Sequence, residues 1–87
     1  MATIQSGEDY ESLLIEILRS LGGRGSPGQV RREFERRFYS SIPRSAMVPD
    51  DRHNGQPLWQ TLLDAARERL TSRRKLYVPD PDIWDLA

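Results

Sequence analysis

Cysteine is absent and histidine occurs once, at His53. The first absence excludes a disulfide framework and any cysteine-based zinc or redox centre. Together they argue against a dedicated transition-metal site, and neither a metal nor a cofactor is expected. Long hydrophobic runs are missing too. No stretch approaches the roughly 20 apolar residues that a membrane span needs. Residues 1–7 have neither a basic nor an apolar signal-peptide region, so a cytoplasmic location is the expectation. Length is also scarce. Eighty-seven residues make one domain, and a chain of that size buries only about 60% of its unfolded surface. A deep catalytic pocket is not expected.

Net charge is zero, with thirteen bases against thirteen acids, but the signs are segregated. Residues 1–18 carry Glu8, Asp9, Glu11 and Glu16 and no base. Residues 19–44 carry seven arginines against Glu33 and Glu35. Residues 65–75 carry Arg67, Arg69, Arg73, Arg74 and Lys75 against Glu68, and the last twelve residues hold only Asp80, Asp82 and Asp85. All bases but Lys75 are arginine, whose planar fork suits phosphate. A neutral chain can therefore present a basic face, although arginines on helices also form ordinary solvated faces.

Periodicity starts at Tyr10. Tyr10, Leu13, Leu14, Ile17, Leu18 and Leu21 form one apolar stripe of a helix, with acids near its start and Gly22-Gly23 at its end. Ser26-Pro27 restarts a helix as N-cap and first helical residue, with the stripe Val30, Phe34, Phe38. Glu33 and Arg37 stand at the i,i+4 spacing that favours a pair. Residues 39–57, with three prolines, read as a long loop with one helical turn near Arg44–Met47. Trp59, Leu62, Leu63, Ala66 and Leu70 then mark a third helix from about Pro57 to Thr71. Two short strands follow, Lys75 to Val78 and Ile83 to Leu86, around a Pro79-Asp80-Pro81-Asp82 turn. A hairpin alone is marginal, so this one must rest on the helices, through Trp84 or the Ile83/Leu86 pair.

Helix, helix, helix, hairpin is the layout of a winged helix, an α+β fold whose C-terminal β-hairpin is the wing. The expected division is a disordered leader over residues 1–8 and the winged-helix domain over 9–87. Ala66-Arg67, Leu70, Leu76 and Trp84-x-Leu86 follow a short pattern, and with the opening helix and its Leu21-Gly22-Gly23 end they give the chain a further likeness. The stretch resembles the winged-helix N-terminal domain of Mrr-type restriction systems over roughly residues 10–87. It departs from that pattern at Ala65, where a tryptophan is common, and at Ser72-Arg73-Arg74, where a glycine is usual. The resemblance implies DNA recognition beside a nuclease or other effector domain elsewhere in a longer chain.

Candidate DNA-binding residues follow from docking geometry. Arg31, Arg32 and Arg36 lie on the second helix, which crosses the backbone in a helix-turn-helix. Asn54, Gln56 and Gln60 lie at or before the start of the third, the end that meets base edges. Arg67, Arg73, Arg74 and Lys75 span the end of the third helix and the wing base, where they also suit the helix dipole. Arg67 has a second reading, with its stem along the core and its head paired to an acid. The expected partner is double-stranded DNA, provided that the arginines gather into a single positive strip beside the third helix. The alternative is a protein-interaction or homodimerisation module. Interleaved acids or an exposed apolar patch favour that alternative, as does the acidic wing tip at Asp80 and Asp82.

No catalytic residues are expected. His53 reads as a solvated loop residue, Asp80/Asp82 as turn formers, and Gly22-Gly23-Arg24-Gly25 lacks the Lys-Ser/Thr of a phosphate loop. The chain is read as a non-enzyme.

Overall fold

The computed structural model describes Ile4, residues 7–50 and residues 55–87. Three helices and a small antiparallel sheet are arranged as α1 (Gly7–Ser20), β1 (Arg24–Gly25), α2 (Pro27–Phe38), two 3₁₀ turns (Tyr39–Ser41 and Arg44–Ala46), β2 (Pro49–Asp50), β3 (Gln56–Pro57), α3 (Leu58–Ser72), β4 (Leu76–Asp80) and β5 (Ile83–Leu86). The sheet order β1-β5-β4 adds the first short strand to the β5 edge of the C-terminal hairpin. With the three helices this is a winged-helix-like arrangement.

The helix ends are set by local chemistry. α1 closes with Gly23 N–H donating to Leu18 O (2.8 Å) and Gly22 N–H to Arg19 O (3.2 Å). This closure requires a left-handed residue, and Gly22 supplies it at φ 87°. α2 opens with a reciprocal capping box: Gln29 N–H donates to Ser26 Oγ (3.1 Å), and Ser26 N–H donates to Gln29 Oε1 (2.9 Å). α3 closes in the same pattern as α1, with Arg74 N–H on Thr71 O and Lys75 N–H on Leu70 O. Here the left-handed position falls on Arg74, at φ 60°.

The core is a stack of rings ringed by aliphatics. Phe34 lies between Tyr10 (5.7 Å, 7° between planes) and Trp59 (5.3 Å, 8°), with Phe38 edge-on to it at 5.5 Å. Leu14, Ile17, Leu18, Val30, Leu63, Leu70 and Leu76 are fully buried around them. The wing rests on this core through Leu76 and Trp84, both buried.

Several expectations need revision. The leader is not entirely outside the domain: Ile4 is 5% exposed and its N–H donates to Ser41 O (2.9 Å), and Gly7 and Glu8 already belong to α1. An isolated apolar residue has no periodicity to announce its burial. β1 and the β2–β3 ladder were not legible, because two-residue strands carry no alternation. β4 continues past Val78 to Asp80 across an irregularity in its pairing with β5, so the turn shortens to Pro81 and Asp82. Proline is tolerated there because β4 is an edge strand.

Candidate nucleic-acid interface

The segregated charges largely neutralise one another across the fold. Glu11 on α1 is 7% exposed. It accepts a hydrogen bond from Arg73 Nη1 (2.8 Å) and pairs with Arg69 Nε (3.5 Å) at the far end of α3. Arg24 on β1 donates to Asp85 on β5 at 2.7 Å. Arg31 on α2 donates from Nη2 to both carboxylate oxygens of Asp64 on α3, at 3.2 and 3.1 Å. The acidic start of the chain thus faces the basic end of α3, and an acid of α3 faces the basic α2.

The single uncompensated strip expected beside the third helix is therefore not formed. Arg67 adopts its structural alternative. Its guanidinium carbon lies 5.7 Å from the centre of the Trp84 ring, and Nη2 reaches Glu68 at 3.4 Å. Arg73 is engaged by Glu11. Gln56 donates from Nε2 to Thr61 Oγ1 (2.9 Å), which ties it to the first turns of α3. Asn54, like His53, lies outside the described residues. Arg74 and Lys75 are exposed at the wing base, apart from the α2 group.

Two surface grooves flank α3. One runs between α3 and the wing. Asp64, Glu68 and Asp80 line it with Arg31 and Arg67, and Val78, Pro79, Pro81 and Trp84 contribute apolar surface. In a winged helix this is the surface beside the recognition helix, and here carboxylates outnumber guanidiniums.

The other groove lies between α2 and the start of α3. Its walls are Arg31, Arg32, Glu35 and Arg36 on one side and Gln60 on the other, with Tyr39 and the edge of Trp59 completing it. Four of the ten expected residues meet there. Arg32 is exposed and, among the described residues, reaches only its own helix, Nε donating to Gly28 O at 3.4 Å. Arg36 donates from Nε and Nη2 to Glu33 (3.3 and 2.8 Å), and Arg37 Nε donates to the same carboxylate at 3.0 Å. One carboxylate serves two guanidiniums, so α2 keeps a cationic excess. The Arg36 hydrogen bond, then the Arg36 and Arg37 charges, hold the Glu33 carboxyl below its usual range.

Tyr39 is the residue the sequence reading passed over. It follows the last apolar position of α2, Phe38, and so faces outward, 61% exposed. Its place one step off the stripe was the available signal.

Among the described residues, no cluster of three or more acidic or histidine side chains could hold a metal ion. Nor, among those residues, is any helix long and apolar enough to cross a membrane. Fold and surface together define a winged-helix-like α+β domain with one cationic and one acid-rich groove. No family model, curated protein or solved structure matches the chain.

Proposed function

We propose that this domain is a DNA-binding module, itself without catalysis, that holds a duplex along the α2–α3 groove. The resemblance to restriction-type winged helices suggests that it serves a larger defence protein with its effector domain elsewhere. The observation that carries the reading is the convergence of Arg31, Arg32, Arg36 and Gln60 on one groove. The docking differs from the expected one, since the wing and the outer face of α3 carry acids. Phosphate would compete with Glu33 for Arg36. That exchange costs little, because the Arg36 side chain is largely exposed and water screens its pair with Glu33.

Duplex affinity at roughly 50 and 200 mM salt tests this reading. Two or three neutralised phosphates give a slope of log K on log salt of about −2 to −3. Arg32→Gln and Arg36→Gln each reduce that slope by about one, whereas Arg73→Gln leaves it unchanged. Absence of binding at the lower salt removes the proposal.

A second reading is favoured by one observation, the interleaving of Asp64, Glu68 and Asp80 with Arg31 and Arg67 in the α3–wing groove. That groove suits a protein partner, including a second copy of the chain. A dimer in sedimentation at micromolar concentration, lost on Asp80→Lys and unaffected by Arg32→Gln, is its expected signature.

A further inference from the structure

We infer that the α2–α3 groove accepts an unpaired nucleotide, so that the domain prefers a duplex bearing a single-stranded tail over a blunt duplex. This rests on the nucleic-acid reading above and adds the class of substrate. The observation is the exposed ring of Tyr39 at the edge of a cationic groove.

The other aromatic rings around α2 are accounted for. Tyr10, Phe34 and Trp59 stack on one another inside the core, and Phe38 packs edge-on against Phe34. Tyr77 is also exposed, but it lies on the wing outside this groove. Tyr39 alone places an exposed ring in the groove that Arg31, Arg32, Arg36 and Glu35 line with Gln60. Single strands are held by this combination: guanidiniums track the phosphates while a base stacks on an aromatic ring. A base within a duplex cannot stack there, because its faces are covered by the pairs above and below it. Gln60 can hydrogen-bond the edge of a base so held, which gives a modest base preference. Arg36 is released from Glu33 to contact the phosphate, as in duplex binding.

The test is fluorescence anisotropy of three labelled DNAs: a blunt duplex, the same duplex with a short single-stranded tail, and the tail strand alone. The tailed duplex should bind about five- to a hundred-fold tighter than the blunt one, the range that stacking of one base supports. Tyr39→Ala should abolish that difference, so that tailed and blunt duplexes bind equally, and Tyr39→Phe should preserve it. Arg36→Gln should weaken all three. Circular dichroism confirms that each variant is folded, which an exposed side chain makes safe. Equal affinity for blunt and tailed duplexes overturns the inference and leaves the duplex reading standing. An equal loss on all three DNAs with Tyr39→Ala also overturns it. If none of the three DNAs binds, both proposals fail together.

Discussion

Tyr10 carries a phenol inside an apolar stack, and its hydroxyl has no hydrogen-bond partner among the described residues. Burial, and after it the negative charge of Asp9, raise its pKa above the ordinary value of 10.0. Folding therefore favours the neutral phenol. Below pH 10 both the folded and the unfolded chain keep the proton, and this contribution is intact. As pH rises further the unfolded chain ionises first, and stability falls until the folded phenol has also titrated. Tyr10→Phe should flatten that alkaline loss in urea unfolding followed against pH. Near neutrality it should be neutral or stabilise by up to about 1 kcal/mol, because it removes an unsatisfied buried group. Glu11 is the opposite case, a buried carboxylate with two guanidinium partners. Glu11→Gln should lower stability by about 1–2 kcal/mol, less than for a fully buried pair because Arg73 is itself exposed. A drop of several degrees in Tm is the expected readout, at about 4–8 °C per kcal/mol for a domain of this size.

At the scale of single elements, the two helix ends that close with a left-handed residue make a comparison within one molecule. α1 uses Gly22 and α3 uses Arg74. A residue with a Cβ gives up about 1 kcal/mol in that conformation. Arg74→Gly should therefore raise stability by about 0.5–1 kcal/mol, measured by thermal unfolding. Arg74 is exposed and its side chain makes no hydrogen bond or ion pair among the described residues, so no offsetting contact to them is lost. On the proposed docking, DNA affinity should be unchanged, since the α2–α3 groove does not include this residue. If the same variant costs binding, the wing base belongs to the interface and the groove assignment is too narrow. The wing itself is a thin element. Its hold on the domain comes from Leu76, Trp84, the Arg67 guanidinium over the Trp84 ring and the pairing of β5 with β1.

For the molecule as a whole, Phe34 is the common neighbour of the three helices through Tyr10, Trp59 and Phe38. Phe34→Ala should cost about 3–5 kcal/mol through the cavity it leaves. A chain of this length has about 4–13 kcal/mol in total. Urea unfolding should thus show a sharply lowered midpoint, or no folded baseline. The distribution of charge also belongs to this scale. Blocks of opposite sign are spent largely on docking α1 to α3, α2 to α3 and β1 to β5, and what remains for a ligand is the excess on α2. Zero net charge and a local cationic groove are compatible for that reason.

The three helices, the end of α1, the start of α2 and the wing were legible in the residues alone. Each depends on physics that acts within four or five positions: the 3.6-residue stripe of Tyr10 to Leu21, the Ser26-Pro27 start, the Gly22-Gly23 stop, and the strand from Ile83 to Leu86. Their order was enough for the winged-helix layout. The candidate site was not legible in this way. Arg31 and Asp64 stand 33 positions apart, Arg24 and Asp85 61, and Glu11 and Arg73 62. No periodicity joins such pairs, so composition could show basic segments but not which guanidiniums remain open. Only packing decided that Arg67 and Arg73 hold the fold together, that Arg32 and Arg36 share a groove with Gln60, and that Tyr39 faces outward beside them. Helix-forming tendency is local, whereas the partner of a long charged side chain is chosen by whatever the core brings within its reach.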